Sequence, residues 1–245
     1  MDYLKYDLSK KEWAMAIGIY ALGILAISYF FYRSWVVFLL LSPGFYLFFK
    51  YFKTMLIKKR KKKLVEEFSE VLFSVSVNIK AGYSVENAFL EAYKDIKLFY
   101  GENSLMADEI VRIKKGMEIN ITLEDLIEDL AKRSHEKDIL LFSEVCKSAK
   151  RNGGNITEVL LNTAERIRGG INVDKEIDTL LSEKKLELRI MEIMPFFIMM
   201  YLEVTSVGYF NVLYQDYKGR ILMTACLLGY LGAVYVGKRI LDIEV

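Results

Sequence analysis

Proline, histidine and cysteine are scarce in this chain, which holds two, one and two of them in 245 residues. So few prolines leave little to interrupt long helices. The single histidine, His135, has no cysteine or second histidine at metal-ligand spacing, which excludes a zinc-type centre. Cys146 and Cys226 are too few for a disulfide framework, and no disulfide is expected. Strand signals are missing as well, because no stretch alternates apolar and polar residues between turn signals. The expected class is all-α.

What the chain has in excess is apolar sequence: 53% of residues are hydrophobic and the mean hydropathy is +0.20. The apolar residues are clustered. Trp13 to Tyr32 has no charged residue, and Trp35 to Phe49 has none before Lys50. A bilayer core about 30 Å thick needs about 20 such residues in a helix, so spans are expected at 13–32 and 35–52. Arg33 and Ser34 divide them, since one unbroken helix would bury Arg33 in hydrocarbon. A second pair, 190–214 and 221–237, is joined by the polar turn Gln215 to Arg220. The expected architecture is two transmembrane helical hairpins, residues 1–52 and 190–245, flanking an antiparallel bundle of about six helices in residues 53–189.

Positive residues set the orientation. Lys10, Lys11, Lys53, Lys58 to Lys63, Lys184, Lys185, Arg189, Lys238 and Arg239 border the same ends of the four spans, while the opposite turns hold only Arg33, Lys218 and Arg220. Both termini and residues 53–189 are therefore expected in the cytoplasm, with the chain a multi-pass membrane protein. The run Lys58, Lys59, Arg60, Lys61, Lys62, Lys63 reads as a flank for anionic lipid. Nucleic acid is an unsuitable partner, because residues 64–189 carry 18 Lys and Arg against 24 Asp and Glu.

From Leu64 the pattern becomes amphipathic: Leu64, Val65, Phe68, Val71, Leu72, Val75 and Ile79 share one helix face. Gly82 is expected to stop that helix and Ser84 to cap the next. Gly116 reads as another stop, and Thr122 with Asp125 as a capping box. Gly153 and Gly154 form a third break, after which Asn155 and Glu158 cap a helix carrying Ile156, Val159, Leu160, Thr163 and Ile167, with a further break expected at Gly169 and Gly170.

No catalytic constellation emerges, and no cofactor or metal is called for. Ser134 beside His135 is not a dyad by sequence alone, and the carboxylates are scattered as on solvated helix faces. Gly232 to Lys238 copies part of a phosphate-binding loop, yet Arg239 stands where Ser or Thr is required and no strand precedes it. Glu203 stands out. An ionisable residue within a span is a candidate for coupling or assembly; alternatively it pairs across helices or reaches the outer interface. Pro195 precedes it and should kink the third span.

The motifs Lys80-Ala-Gly-Tyr-Ser-Val-Glu-Asn-Ala-Phe89 and Lys150-Arg-Asn-Gly-Gly-Asn-Ile-Thr-Glu-Val-Leu160, followed by Pro195, resemble those of the type II secretion system F family, over about Leu64 to Tyr214. One domain copy with a leading hairpin is most similar to the tight-adherence members called TadB and TadC; general secretion and type IV pilus members usually carry two copies. The resemblance implies a non-enzymatic inner-membrane platform that couples a cytoplasmic secretion ATPase to extraction and assembly of pilin-like subunits, dimerising with itself or a sister platform protein. A small membrane receptor or transporter using the kinked third span and Glu203 is the alternative.

Overall fold

The computed structural model describes residue 3 and residues 8–101, 104–152, 156–206 and 208–241. Among these the chain is all-helical, with no strand. The helices are α1 Lys10–Ile27, α2 Trp35–Leu41, α3 Phe45–Lys80, α4 Val85–Tyr100, α5 Leu105–Glu118, α6 Leu123–Ser134, α7 Lys137–Asn152, α8 Ile156–Thr205, α9 Asn211–Gln215 and α10 Tyr217–Leu241. A π-helical turn at Ser28–Tyr32 extends α1, and a 3-10 turn at Ser42–Gly44 joins α2 to α3. The chain forms two compact units, one of Met1–Asp7 with Lys53–Lys175 and one of Leu8–Phe52 with Glu176–Val245.

The core of the first unit follows from helical spacing. Leu64, Phe68, Val71, Leu72, Val75 and Ile79 of α3 are buried, as are Phe89, Ala92 and Ile96 of α4 and Ile110 and Ile113 of α5. Phe142 of α7 stands edge-on to Phe68, with ring centroids 5.7 Å apart, and lies 6.2 Å from Phe89. Aromatic pairs at these separations add attraction beyond the area they bury. From α8 the face consists of Leu160, Ala164, Ile167 and Ile171, whereas Val159 is exposed. Cys146 is buried among them, and desolvation pushes its thiol up to about 12, so it behaves as a small apolar residue.

Local chemistry sets the helix ends. Gly82 has φ +96°, a conformation that glycine tolerates without the clash a Cβ would meet. Ser84 then caps α4 by accepting from the Asn87 N–H at 3.3 Å. Thr122 caps α6 in the same way, accepting from the Asp125 N–H. The start of α5 is held from a distance. Ser104 accepts from the Ala107 N–H at 3.0 Å and donates to the buried Glu67 carboxylate of α3 at 2.9 Å. The same carboxylate oxygen accepts from the Met106 N–H at 2.8 Å, while the other faces the Lys63 ammonium at 3.5 Å.

Three expectations are corrected. Gly116 does not end its helix: α5 runs on to Glu118, and a Cβ on Gly116 would collide with the Leu126 side chain, so the glycine permits close approach of α5 and α6. Helix α8 passes through Gly169 and Gly170 without a break. Residues 190–214 are not one helix, because α8 stops at Thr205, Gly208 takes φ +89° and α9 begins at Asn211. From Ile190 to Thr205 the helix rises about 24 Å at about 1.5 Å per residue, short of the bilayer core, and contains Glu192 and Glu203. The stretches long and apolar enough to cross a membrane, among the described residues, are three: Lys10–Tyr32, Trp35–Lys80 and Tyr217–Leu241.

Candidate functional site

In the second unit, the turn between α1 and α2 is a single left-handed residue. Arg33 has φ 47°, and Ser34 follows as the N-cap of α2, accepting from the Val36 N–H. That turn brings Arg33 to the end of α8, where its Nη2 lies 2.9 Å from Glu203 Oε1. Its Nη1 donates to Asn211 Oδ1 at 3.1 Å. The ring of Tyr214 lies 6.0 Å from the guanidinium carbon. Tyr214 donates its hydroxyl to the Phe30 carbonyl at 2.5 Å, and Tyr32 shares a hydrogen bond with Thr224 at 3.0 Å. Arg220 donates from Nε to the Tyr214 carbonyl at 3.1 Å. Tyr32, Arg33, Glu203, Asn211, Tyr214 and Arg220 line an open cleft of about 920 Å³.

Glu203 is thus paired across helices. Its carboxylate and the Arg33 guanidinium are each other's counter-charge, which offsets part of the cost of taking either out of water. The sequence marked Glu203 but offered no signal for Arg33, Asn211, Tyr214 or Arg220 as its surroundings. Pro195 lies inside α8, with a second tie at the same level: Tyr230 of α10 donates to the Glu192 carbonyl at 2.7 Å and meets Phe196 edge-on at 5.7 Å. The carbonyl that Pro195 leaves without a helix donor is that of Met191, four residues back, so Tyr230 binds the adjacent carbonyl rather than the freed one.

The first unit holds a second polar centre. Arg133 of α6 grips Glu109 of α5 with two hydrogen bonds, at 2.8 and 2.7 Å, and donates from Nε to Asp129 at 2.7 Å. Tyr3, fully buried, donates its hydroxyl to Glu109 at 2.9 Å and its backbone N–H to the Arg133 carbonyl at 3.2 Å. Burial pushes the Glu109 carboxyl up, but the Arg133 hydrogen bonds and charge, with the Tyr3 hydroxyl, overcome it and hold the group below the ordinary carboxylate range. Burial first, and the Glu109 charge second, raise the Tyr3 phenol above its usual value. This centre joins residue 3, α5 and α6; the sequence pattern did not reveal it.

The basic run is only partly open to a membrane surface. Arg60 stacks over the Tyr3 ring at 5.3 Å, Lys61 pairs with Glu136 at 2.7 Å, and Lys63 faces Glu67. Lys58, Lys59 and Lys62 are exposed. Gly153, Gly154 and Asn155 lie outside the described residues, while Glu158 sits in the first turn of α8. His135 takes φ 53° at the C-terminus of α6, where its backbone carbonyl accepts from Lys61. Among the described residues no group of three or more His, Cys, Asp or Glu could hold a metal ion. Gly232 and Gly237 lie within the continuous helix α10, and a Cβ on Gly237 would approach Leu188 to 2.6 Å, which marks that glycine as a packing position. No family model, curated protein or solved structure matches the chain.

Proposed function

We propose that this chain is a non-enzymatic platform protein of the inner membrane, of the type II secretion F kind and nearest to its tight-adherence members. In this reading the apolar segments form two transmembrane hairpins, the third crossing being made by the apolar end of α8 together with α9 as a broken rather than a continuous helix. The helical unit between the hairpins is a cytoplasmic bundle that couples a secretion ATPase to extraction and assembly of pilin-like subunits. The observation that carries it is the pairing of the two motifs, Lys80–Phe89 and Lys150–Leu160, with an all-helical polar unit encoded between apolar helices. The geometry at the first motif supports it, because left-handed Gly82 and the Ser84 cap make the helix–turn–helix that the motif implies. Both termini face the cytoplasm, and a second copy or a sister protein supplies what two domain copies supply elsewhere.

The pairing of Glu203 with Arg33 favours a structural part for that carboxylate over a transport path, since a coordinated substrate would have to displace a cation already held at 2.9 Å. The test is site-specific photocrosslinking in native membranes from positions 86 and 158, with mass spectrometry of the products. Recovery of a secretion ATPase or a second platform chain is the expected result. Products limited to unrelated membrane proteins, with pili still assembled after deletion of the gene, would refute the platform role.

A further inference from the structure

The cleft around Arg33 contains more cationic chemistry than its internal pairing uses. Its charged groups are Arg33, Arg220 and Glu203, which leaves one positive charge after the Arg33–Glu203 pair is formed. That charge resides on Arg220. Its Nε is fixed by the Tyr214 carbonyl, so the guanidinium is oriented, while its two terminal nitrogens have no hydrogen-bond acceptor among the described residues. Ser34 and Asn211 line the same cleft and add a hydroxyl and an amide beside it. A guanidinium held at Nε presents two parallel N–H groups, the geometry that fits two oxygens of one anionic group. The cavity, about 920 Å³, is of the size that takes a small-molecule ligand.

We propose that this cleft binds a single phosphate group, with the Arg220 fork as its principal contact and the Ser34 hydroxyl and Arg33 as secondary donors. A phosphodiester carries one negative charge and would balance the one left over; its tetrahedral oxygens can be shared between two guanidinium groups and a hydroxyl as a planar carboxylate cannot. The phosphate can come from a phospholipid headgroup or from a soluble phosphate. The headgroup is the source expected from the topology proposed above, which puts the turns at Arg33 and at 215–220 on one membrane surface; the cleft's chemistry does not depend on that topology.

The experiment uses the full chain in dodecyl maltoside micelles, with binding read by native mass spectrometry. One arm titrates phosphatidylglycerol into the micelles and the other titrates inorganic phosphate without lipid. Saturable binding is expected in the lipid arm, weakened roughly tenfold by Arg220→Gln, as loss of one bidentate charge-assisted contact should do, and unchanged by Lys218→Gln, a neighbouring charge outside the cleft lining. Saturable binding of inorganic phosphate alone, with the same dependence on Arg220, would keep the phosphate site and assign it a soluble source. Should Arg220→Gln fail to fold, judged by its melting temperature without ligand, Arg220→Lys carries the comparison: it keeps the charge but loses the fork, and roughly threefold weakening is expected. Absence of saturable binding in both arms, or equal affinity in the wild type and the folded Arg220 variant, would overturn the proposal. Neither result bears on ATPase coupling, so the platform reading stands or falls separately.

Discussion

Replacing Arg133 by methionine would strand a buried carboxylate. Glu109 is only 3% exposed and receives two short hydrogen bonds from Arg133, whose own side chain is 17% exposed. Removing one partner of a buried ion pair costs about 3–5 kcal/mol, because the remaining charge keeps its desolvation penalty without its counter-charge. Partial exposure of Arg133 lets water reach the vacated site, so about 3 kcal/mol is expected at pH 7. The pH dependence separates this mechanism from simple loss of packing. In the wild type the Glu109 pKa is lowered by folding, so its contribution is present above the unfolded value, about 4.3, and is lost as pH falls through the folded one. In the variant burial acts without Arg133 and raises the carboxyl, so acidification neutralises it and relieves the penalty. Urea unfolding of the full chain in mild detergent micelles, followed by circular dichroism, should show the gap between wild type and Arg133→Met narrowing as pH falls from 7 to 4. A gap constant over that range, or below about 1 kcal/mol at pH 7, would show that the pair is not the source of stability.

The Ser84→Ala variant should lose about 1 kcal/mol in the same assay by leaving the first-turn amides of α4 uncapped, and Gly82→Val about 1–2 kcal/mol by forcing a branched side chain into left-handed backbone; stabilities equal to wild type would contradict the turn geometry. Arg33→Glu and Glu203→Arg should each lower the melting temperature in micelles, and the double exchange should recover at least half of the loss; no recovery would mean that the two side chains do not interact. Reporter fusions at Gly101 and Gly219 should report opposite sides of the membrane, and the same side for both would refute the proposed topology. Purified protein should hydrolyse no ATP, as no complete phosphate-binding loop is present; turnover that survives removal of contaminating ATPases would reverse the non-enzymatic reading.

What the sequence made legible was local or periodic. The buried face of α3 could be read from Leu64 to Ile79 because a helix repeats every 3.6 residues, and the caps at Ser84 and Thr122 because donor and acceptor lie three residues apart. Contacts between distant positions left no such trace. Ser104 caps α5 with the help of Glu67, 37 positions away, and Arg33 meets Asn211 across 178. Glycine was ambiguous for a physical reason: Gly82 serves through its positive φ, Gly116 through the room it leaves for Leu126, and Gly169 does neither inside α8. Only the first role is signalled by a neighbouring cap. The third apolar segment misled because composition counts residues, while the length of a span depends on where the helix stops, here at Thr205.

The Glu67 carboxylate beneath the start of α5 changes how that helix should open. Amides in a helix's first turn ordinarily fray and exchange with solvent through small fluctuations. The Met106 amide is instead fastened to a side chain rooted in another helix and shielded from water. Deuterium should therefore enter there only when α3 and α5 separate, at a rate matching the buried middle of the bundle, so that one end of α5 reports opening of the whole core while Glu118, at its other end, exchanges quickly.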